Sequence, residues 1–102
     1  LQVIIKENRN SYPFLEDHLP YLYVINREYT SFGIYTDFGY SKEFNSTDLN
    51  ILLSSGEALI ADNLENELAY VLFITNGKID LLEIATNGNE IINDDNKLKL
   101  IP

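Results

Sequence analysis

The sequence predicts an α+β, β-rich fold: an open antiparallel sheet of about five strands, with hairpins over 21–40 and 68–86 and one or two short helices. Three observations carry this reading. Residues 32–40 alternate, with Phe32, Ile34, Thr36, Phe38 and Tyr40 on one side and Gly33, Tyr35, Asp37 and Gly39 on the other, the period of a half-buried strand. Residues 68–74 are almost wholly apolar, which predicts a central strand covered on both faces. Asn76-Gly77 follows directly, the strongest short-range signal for a two-residue hairpin turn.

The remaining elements follow in chain order. Val3-Ile4-Ile5 reads equally as a strand or as part of a helix, since so short an apolar run has no resolvable period. Residues 8–11 are polar and read as a loop, Pro13 suits the first turn of a short helix, and Pro20 ends it. Residues 21–29 are rich in aromatic and β-branched types and form the first strand, with Thr30-Ser31 at the turn and Gly33 available for a bulge.

Ser46, Thr47 or Asp48 can cap a second helix, with Leu49, Leu52 and Leu53 at helical spacing and Gly56 as terminator. Residues 57–61 can be a third strand, and 62–67 an acidic turn. Residues 79–86 return as the partner of the central strand. Asn87-Gly88 marks a further turn, Glu90-Ile91-Ile92 extends the sheet, and the alternating Lys97-Leu98-Lys99-Leu100-Ile101 predicts an edge strand guarded by lysines. Hairpin neighbours favour an open meander over a parallel sheet.

With 102 residues, a single domain over 1–102 is expected. Seven Lys and Arg against sixteen Asp and Glu leave a formal charge of −9. That charge argues against binding nucleic acid through phosphates. A hydrophobic share of 45% is too high for a disordered acidic tail. No apolar run approaches the roughly 18–20 residues that span a bilayer, and Leu1 does not open a signal peptide, so no membrane partner is expected. The absence of Cys excludes disulfides, zinc–thiolate sites and thiol catalysis, and suits a cytoplasmic protein. Met is absent too, so the chain either begins after an initiator or belongs to a longer protein.

Catalytic chemistry finds little support. His18 is the single imidazole, and none of the serines Ser11, Ser31, Ser41, Ser46, Ser54 or Ser55 stands in a nucleophile elbow. In Glu16-Asp17-His18 the histidine is expected at a solvated helix end. Glu83 is the most interesting acid, sharing a strand face with Ile79 and Leu81, where partial burial and a hydrogen bond are expected. A structural or solvated glutamate is the commoner outcome. Asn93-Asp94-Asp95-Asn96 offers oxygens but lacks the spacing and final Glu of a calcium loop. No metal or cofactor is expected, and no enzymatic activity.

The surface is more informative. Seven of the twelve aromatic residues are Tyr, namely Tyr12, Tyr21, Tyr23, Tyr29, Tyr35, Tyr40 and Tyr70. A tyrosine buries its ring while keeping a hydroxyl available, and is enriched at protein interfaces. Tyr35 and Asp37 point off the apolar side of their strand; Asp62, Glu65 and Glu67 gather just before the central one. Acidic residues beside exposed tyrosines suit a basic protein partner. The competing reading makes the tyrosines core residues and the charge a solubility coat.

The stretch 68–84, LAYVLFITNGKIDLLEI, resembles the closing hairpin of many small bacterial proteins, and Leu19-Pro20-Tyr21-Leu22 through Gly33-Ile34-Tyr35 is similar to such chains as well. Some of these resemble immunity proteins, which neutralise a toxin made by the same or a neighbouring cell. The resemblance implies a protein-binding inhibitor that covers the active site of a basic toxin, with Tyr35, Asp37, Asp62, Glu65 and Glu67 as candidate contacts. Two alternatives stand beside it: a small-ligand or enzymatic domain with a pocket near Glu83 or His18, and a structural module of a larger assembly.

Overall fold

The computed structural model describes residues 1–61, 64–86, 92 and 98–101, the side chains of Lys99 and Ile101 excepted. A five-stranded antiparallel sheet forms the body. Its strands are β1 (Leu22–Thr30), β2 (Gly33–Tyr40), β3 (Ile51–Leu53), β5 (Ala69–Thr75) and β6 (Lys78–Ala85), in spatial order β1-β2-β6-β5-β3. A separate two-stranded ribbon pairs β4 (Ala58–Ala61) with β7 (Leu98–Ile101). Helix α1 (Gln2–Glu7) and helix α2 (Leu15–His18), the latter continued by a 3-10 turn at Leu19–Tyr21, lie at the start of the chain. Among the described residues no helix is long and apolar enough to cross a membrane.

The two predicted hairpins form. β1 pairs with β2 from Leu22↔Tyr40 to Thr30↔Gly33, and β5 pairs with β6 around Asn76-Gly77. Both turn residues have positive φ, 52° at Asn76 and 78° at Gly77, the conformation that matches a hairpin turn to the strand twist. The sheet is not a simple meander, however. After β2 the chain leaves, and β6 returns to lie beside β2, with β5 and then β3 outward of it.

The second predicted helix does not form. Residues 47–50 run extended along the β5–β6 turn, where the Thr47 N–H donates to Asn76 O and the Gly77 N–H to Leu49 O. The Asn76 N–H donates to Asn50 Oδ1 at 3.0 Å. Short polar side chains here also bond their own backbone, the Leu49 N–H reaching Thr47 Oγ1 at 3.3 Å. That competition disfavours helix where Ser, Thr, Asp and Asn crowd together. Residues 51–53 then pair with β5, so the Leu49/Leu52/Leu53 spacing is a coincidence of strand alternation: Leu53 is buried and Leu52 is 61% exposed.

Three further expectations are corrected. Phe32 sits in the β1–β2 turn and is exposed, not on the apolar side of β2. The bulge falls at Ile25, between the Val24↔Phe38 and Asn26↔Asp37 pairs, not at Gly33. Ile79 does not share a face with Glu83, because Asp80 is an extra residue between the Phe73↔Leu81 and Ile74↔Ile79 pairs. The ambiguous Val3-Ile4-Ile5 run is helical, since Ile4 and Ile5 bury their side chains against the sheet. The segment 57–61 is a strand, in the ribbon and not the main sheet. The predicted turn at Asn87-Gly88 and the residues 93–96 lie outside the described part of the chain.

One face of the main sheet is covered over β2, β6, β5 and β3, while Val24, Arg27 and Tyr29 on the same side of β1 stay exposed. Ile4, Ile5 and Leu15 from the helices cluster with Leu53, Leu72, Ile74 and Ile79 at one end. Leu59, Ala61 and Leu68 close on Ile34, Ile84 and Ile92 at the other. Tyr70 and Leu82 touch both clusters. The junction is tied by polar bonds: the Asn8 side chain donates to Ser54 O at 2.8 Å, the Gly56 N–H to Glu7 Oε1 at 2.8 Å, and the Tyr70 hydroxyl to Glu57 O.

Candidate functional site

Among the described residues, no element covers the other face of the sheet. Residues paired directly across antiparallel strands share a face, so the register arranges this side into rows. One row runs Glu28–Tyr35–Glu83–Val71, and the next Asn26–Asp37–Leu81–Phe73–Leu52. Tyr35, Asp37, Glu83, Leu81, Val71 and Phe73 are all half-buried, and Leu52 is exposed. Beyond the rows, Tyr23 and Ile25 of β1 stand over Gly39, where a Cβ would meet their side chains at 2.8–2.9 Å. Tyr23 and Ile25 are 52% and 62% exposed.

β5 is thus buried on one side and half open on the other, in place of the full cover that its continuous apolar run predicts. Among the described residues, its second face is shielded only by its own neighbours in the sheet. An apolar patch of this kind, rimmed by polar side chains, is a common mark of an interaction surface.

The charge on the two rows has one sign. Tyr35 has Glu28 opposite it on one side and Glu83 on the other, with Asp37 two residues along its own strand. No Lys or Arg occupies either row. Lys78 pairs with Thr75 at the turn end of β6, outside them, and Arg27 pairs with Thr36 on the covered side. No two of these acids face each other directly: Glu28 and Glu83 flank Tyr35, and Asp37 lies diagonal to both.

The five residues singled out from sequence separate. Tyr35 and Asp37 lie on the open face, between β1 and the central strand β6. Glu65 and Glu67 are exposed in the bend before β5, off the end of the sheet, where Glu67 shares a hollow with Ser54–Ala58. Asp62 lies outside the described residues. Val71, Phe73, Leu81 and Leu52 were not singled out; the register implied by the Asn-Gly turn alone sets Asp80 opposite Phe73, and it is the bulge at Asp80 that brings Leu81 and Glu83 opposite Phe73 and Val71.

His18 is not at a solvated helix end. It is 6% exposed and enclosed by Phe14, Tyr40 and Phe44, the Phe44 ring centroid lying 4.2 Å away. Its Nδ1 is 2.8 Å from the Tyr40 hydroxyl, which also accepts the Ile79 N–H at 2.7 Å. Which way the Nδ1–Tyr40 bond runs depends on the tautomer of the ring, an unprotonated Nδ1 accepting from the Tyr40 O–H. Burial lowers the pKa of His18, a shift opposed by Asp17 and reinforced by Lys78.

The sign of the pH effect follows. As pH falls below about 6.5 the unfolded chain takes up this proton before the folded one, so stability declines from there toward the lower folded pKa. Urea midpoints of the His18→Leu variant and the unaltered chain are expected to diverge in slope between pH 7 and pH 5, the unaltered chain losing more. Parallel pH profiles would show that the ring titrates as freely folded as unfolded.

Neither Glu83 nor His18 lines the hollows at Val3–Arg9, at Ser54–Ala58, beneath Leu1 and Tyr70, or beside Arg27 and Leu98. Among the described residues no three His, Asp or Glu side chains converge in a way that could hold a metal ion. Comparison with protein-family models, with curated protein sequences and with solved structures finds no match.

Proposed function

We propose that this chain is an immunity-type inhibitor: a cytoplasmic binding protein that neutralises a basic bacterial toxin by laying the open face of its sheet over the toxin's active site. The observation that carries this reading is the pair of rows centred on Tyr35 and Asp37. Phe73, Leu81, Val71 and Leu52 supply apolar area that a partner can dehydrate. Glu28, Asp37 and Glu83 supply an acidic field with no base among them. Aromatic and aliphatic anchors inside a charged rim are the composition of binding hot spots. The −9 charge of the whole chain adds long-range steering toward a cationic cleft. Inhibition is steric and electrostatic, with no chemical step.

The test is co-expression with the product of the neighbouring reading frame. Restored growth and a stable complex are the expected result. The association rate should fall steeply as salt is raised, because the Debye length shrinks from about 10 Å at 0.1 M to about 3 Å at 1 M. Asp37→Lys and Glu83→Lys should slow association further, and Phe73→Ala should speed dissociation. An association rate indifferent to salt and to both reversals would overturn the proposal.

A further inference from the structure

A second concavity lies on the covered side, in the gap between β1–β2 and the ribbon strand β7. Its volume is about 190 Å³. Ile34, Leu82 and Ile84 form its floor, and Tyr29 and Leu98 its walls. Arg27 and Thr36 supply its polar edge. The Arg27 Nε–H donates to Thr36 Oγ1 at 3.2 Å, and Thr36 is itself 3% exposed. A buried hydroxyl therefore fixes the guanidinium at the rim of an apolar hollow. That bond uses the Nε edge and leaves the two Nη groups to bind something else. Arg9 has Glu16 as an ion-pair partner at 3.4 Å; Arg27 has none among the described residues.

A planar fork of donors over an apolar floor is the recognition geometry for a carboxylate on a small hydrophobic body. Size agrees: an apolar cavity of roughly 150 Å³ accommodates benzene, so this hollow has room for a ring or short branched chain plus a carboxylate. The net negative charge opposes anion binding only weakly at this range. Charges beyond about 8 Å are screened at physiological salt, whereas the guanidinium would touch its ligand.

We infer that the hollow between β1–β2 and β7 binds a small apolar monocarboxylate, its carboxylate held by Arg27 and its body by Ile34, Ile84 and Leu98. The site is independent of the open face, being on the opposite side of the sheet. Thr36 is a positioning residue that acts through Arg27.

Sodium benzoate is the probe, titrated at constant ionic strength with chloride as the balancing anion, and read by NMR at the Arg27 Nε–H and the methyls of Ile34, Ile84 and Leu98. Saturable shifts at all four are expected. Benzyl alcohol, the same shape without the charge, should bind about tenfold or more weaker, as expected for loss of a charge-assisted hydrogen bond. Arg27→Gln should abolish the preference for benzoate over benzyl alcohol, and Arg27→Lys, which keeps charge but not the fork, should leave part of it. Thr36→Val should weaken benzoate while leaving benzyl alcohol unchanged. Shifts that rise linearly without saturating, or benzoate binding undiminished by Arg27→Gln, would overturn the assignment. Arg27 is exposed, and the unchanged thermal midpoint expected of Arg27→Gln separates loss of the site from loss of the fold.

Discussion

Replacing Leu72 with Ala is expected to cost about 2–5 kcal/mol of folding stability. Leu72 is wholly buried and pairs with Leu82 on one side and Leu53 on the other. It sits under Ile4 and Ile5 of α1 and Leu15 of α2, so the vacated space is bounded by two separate helices that cannot close on it without moving. A domain of this size has about 5–15 kcal/mol in total, so the variant should stand near its unfolding threshold. The thermal midpoint should fall by roughly 10–30 °C, at 4–8 °C per kcal/mol. Leu52→Ala, one residue from Leu53 but facing outward, is the matched control and should stay within about 0.5 kcal/mol. Equal losses at the two positions would mean that the covered and open faces have been assigned wrongly.

Gly77→Ala is expected to cost about 1–3 kcal/mol. Two effects combine. Gly77 has a φ of 78°, which strains any residue with a Cβ, and the added methyl would overlap Thr47 Oγ1. The same turn takes the Gly77 N–H to Leu49 O and so fastens the lead-in to β3. Urea unfolding of Gly77→Ala, Thr47→Ala and the double variant separates the causes as a mutant cycle. Partial recovery in the double variant is expected: the overlap is relieved and the φ strain stays. Full recovery would remove the strain from the account; no recovery would remove the overlap.

The parts of the fold legible from sequence were those fixed by neighbours in the chain. Asn76-Gly77 between two apolar runs determined its hairpin, and the alternation of 33–40 determined which side of β2 is buried. The parts that were not legible depend on distant partners. Residues 47–53 carry helical spacing and capping residues, yet their fate is decided by the Asn76-Gly77 turn, which bonds them in extended form. His18 looked solvated beside Glu16 and Asp17; its burial comes from Phe44 and Tyr40, residues more than twenty positions away. The candidate face was half legible. Tyr35 and Asp37 could be placed on it from local alternation, but the exposure of Val71 and Phe73 depends on no element folding over β5. Nothing within 68–75 encodes that.

The Ile25 bulge limits how the free edge of β1 can be used. β1 is nine residues long and exposed along almost its whole length, the kind of edge on which strands of separate molecules add to one another. Two copies joining edge to edge about a twofold axis must keep each face on its own side. The bulge changes the alternation midway, so Tyr23 belongs to the open face while Tyr29, opposite Ile34, belongs to the covered one. An overlap centred on a single residue loses phase where it crosses the bulge, so the longest of that kind is residues 26–30, and its axis brings Glu28 against its own counterpart. An overlap centred between Ile25 and Asn26 keeps phase, with Val24 facing Arg27 and Tyr23 facing Glu28, but it sets the two bulges against each other on the axis. One extra residue thus leaves the chain's own copies two registers on this edge, one with a glutamate pair at its axis and the other with a pair of bulges.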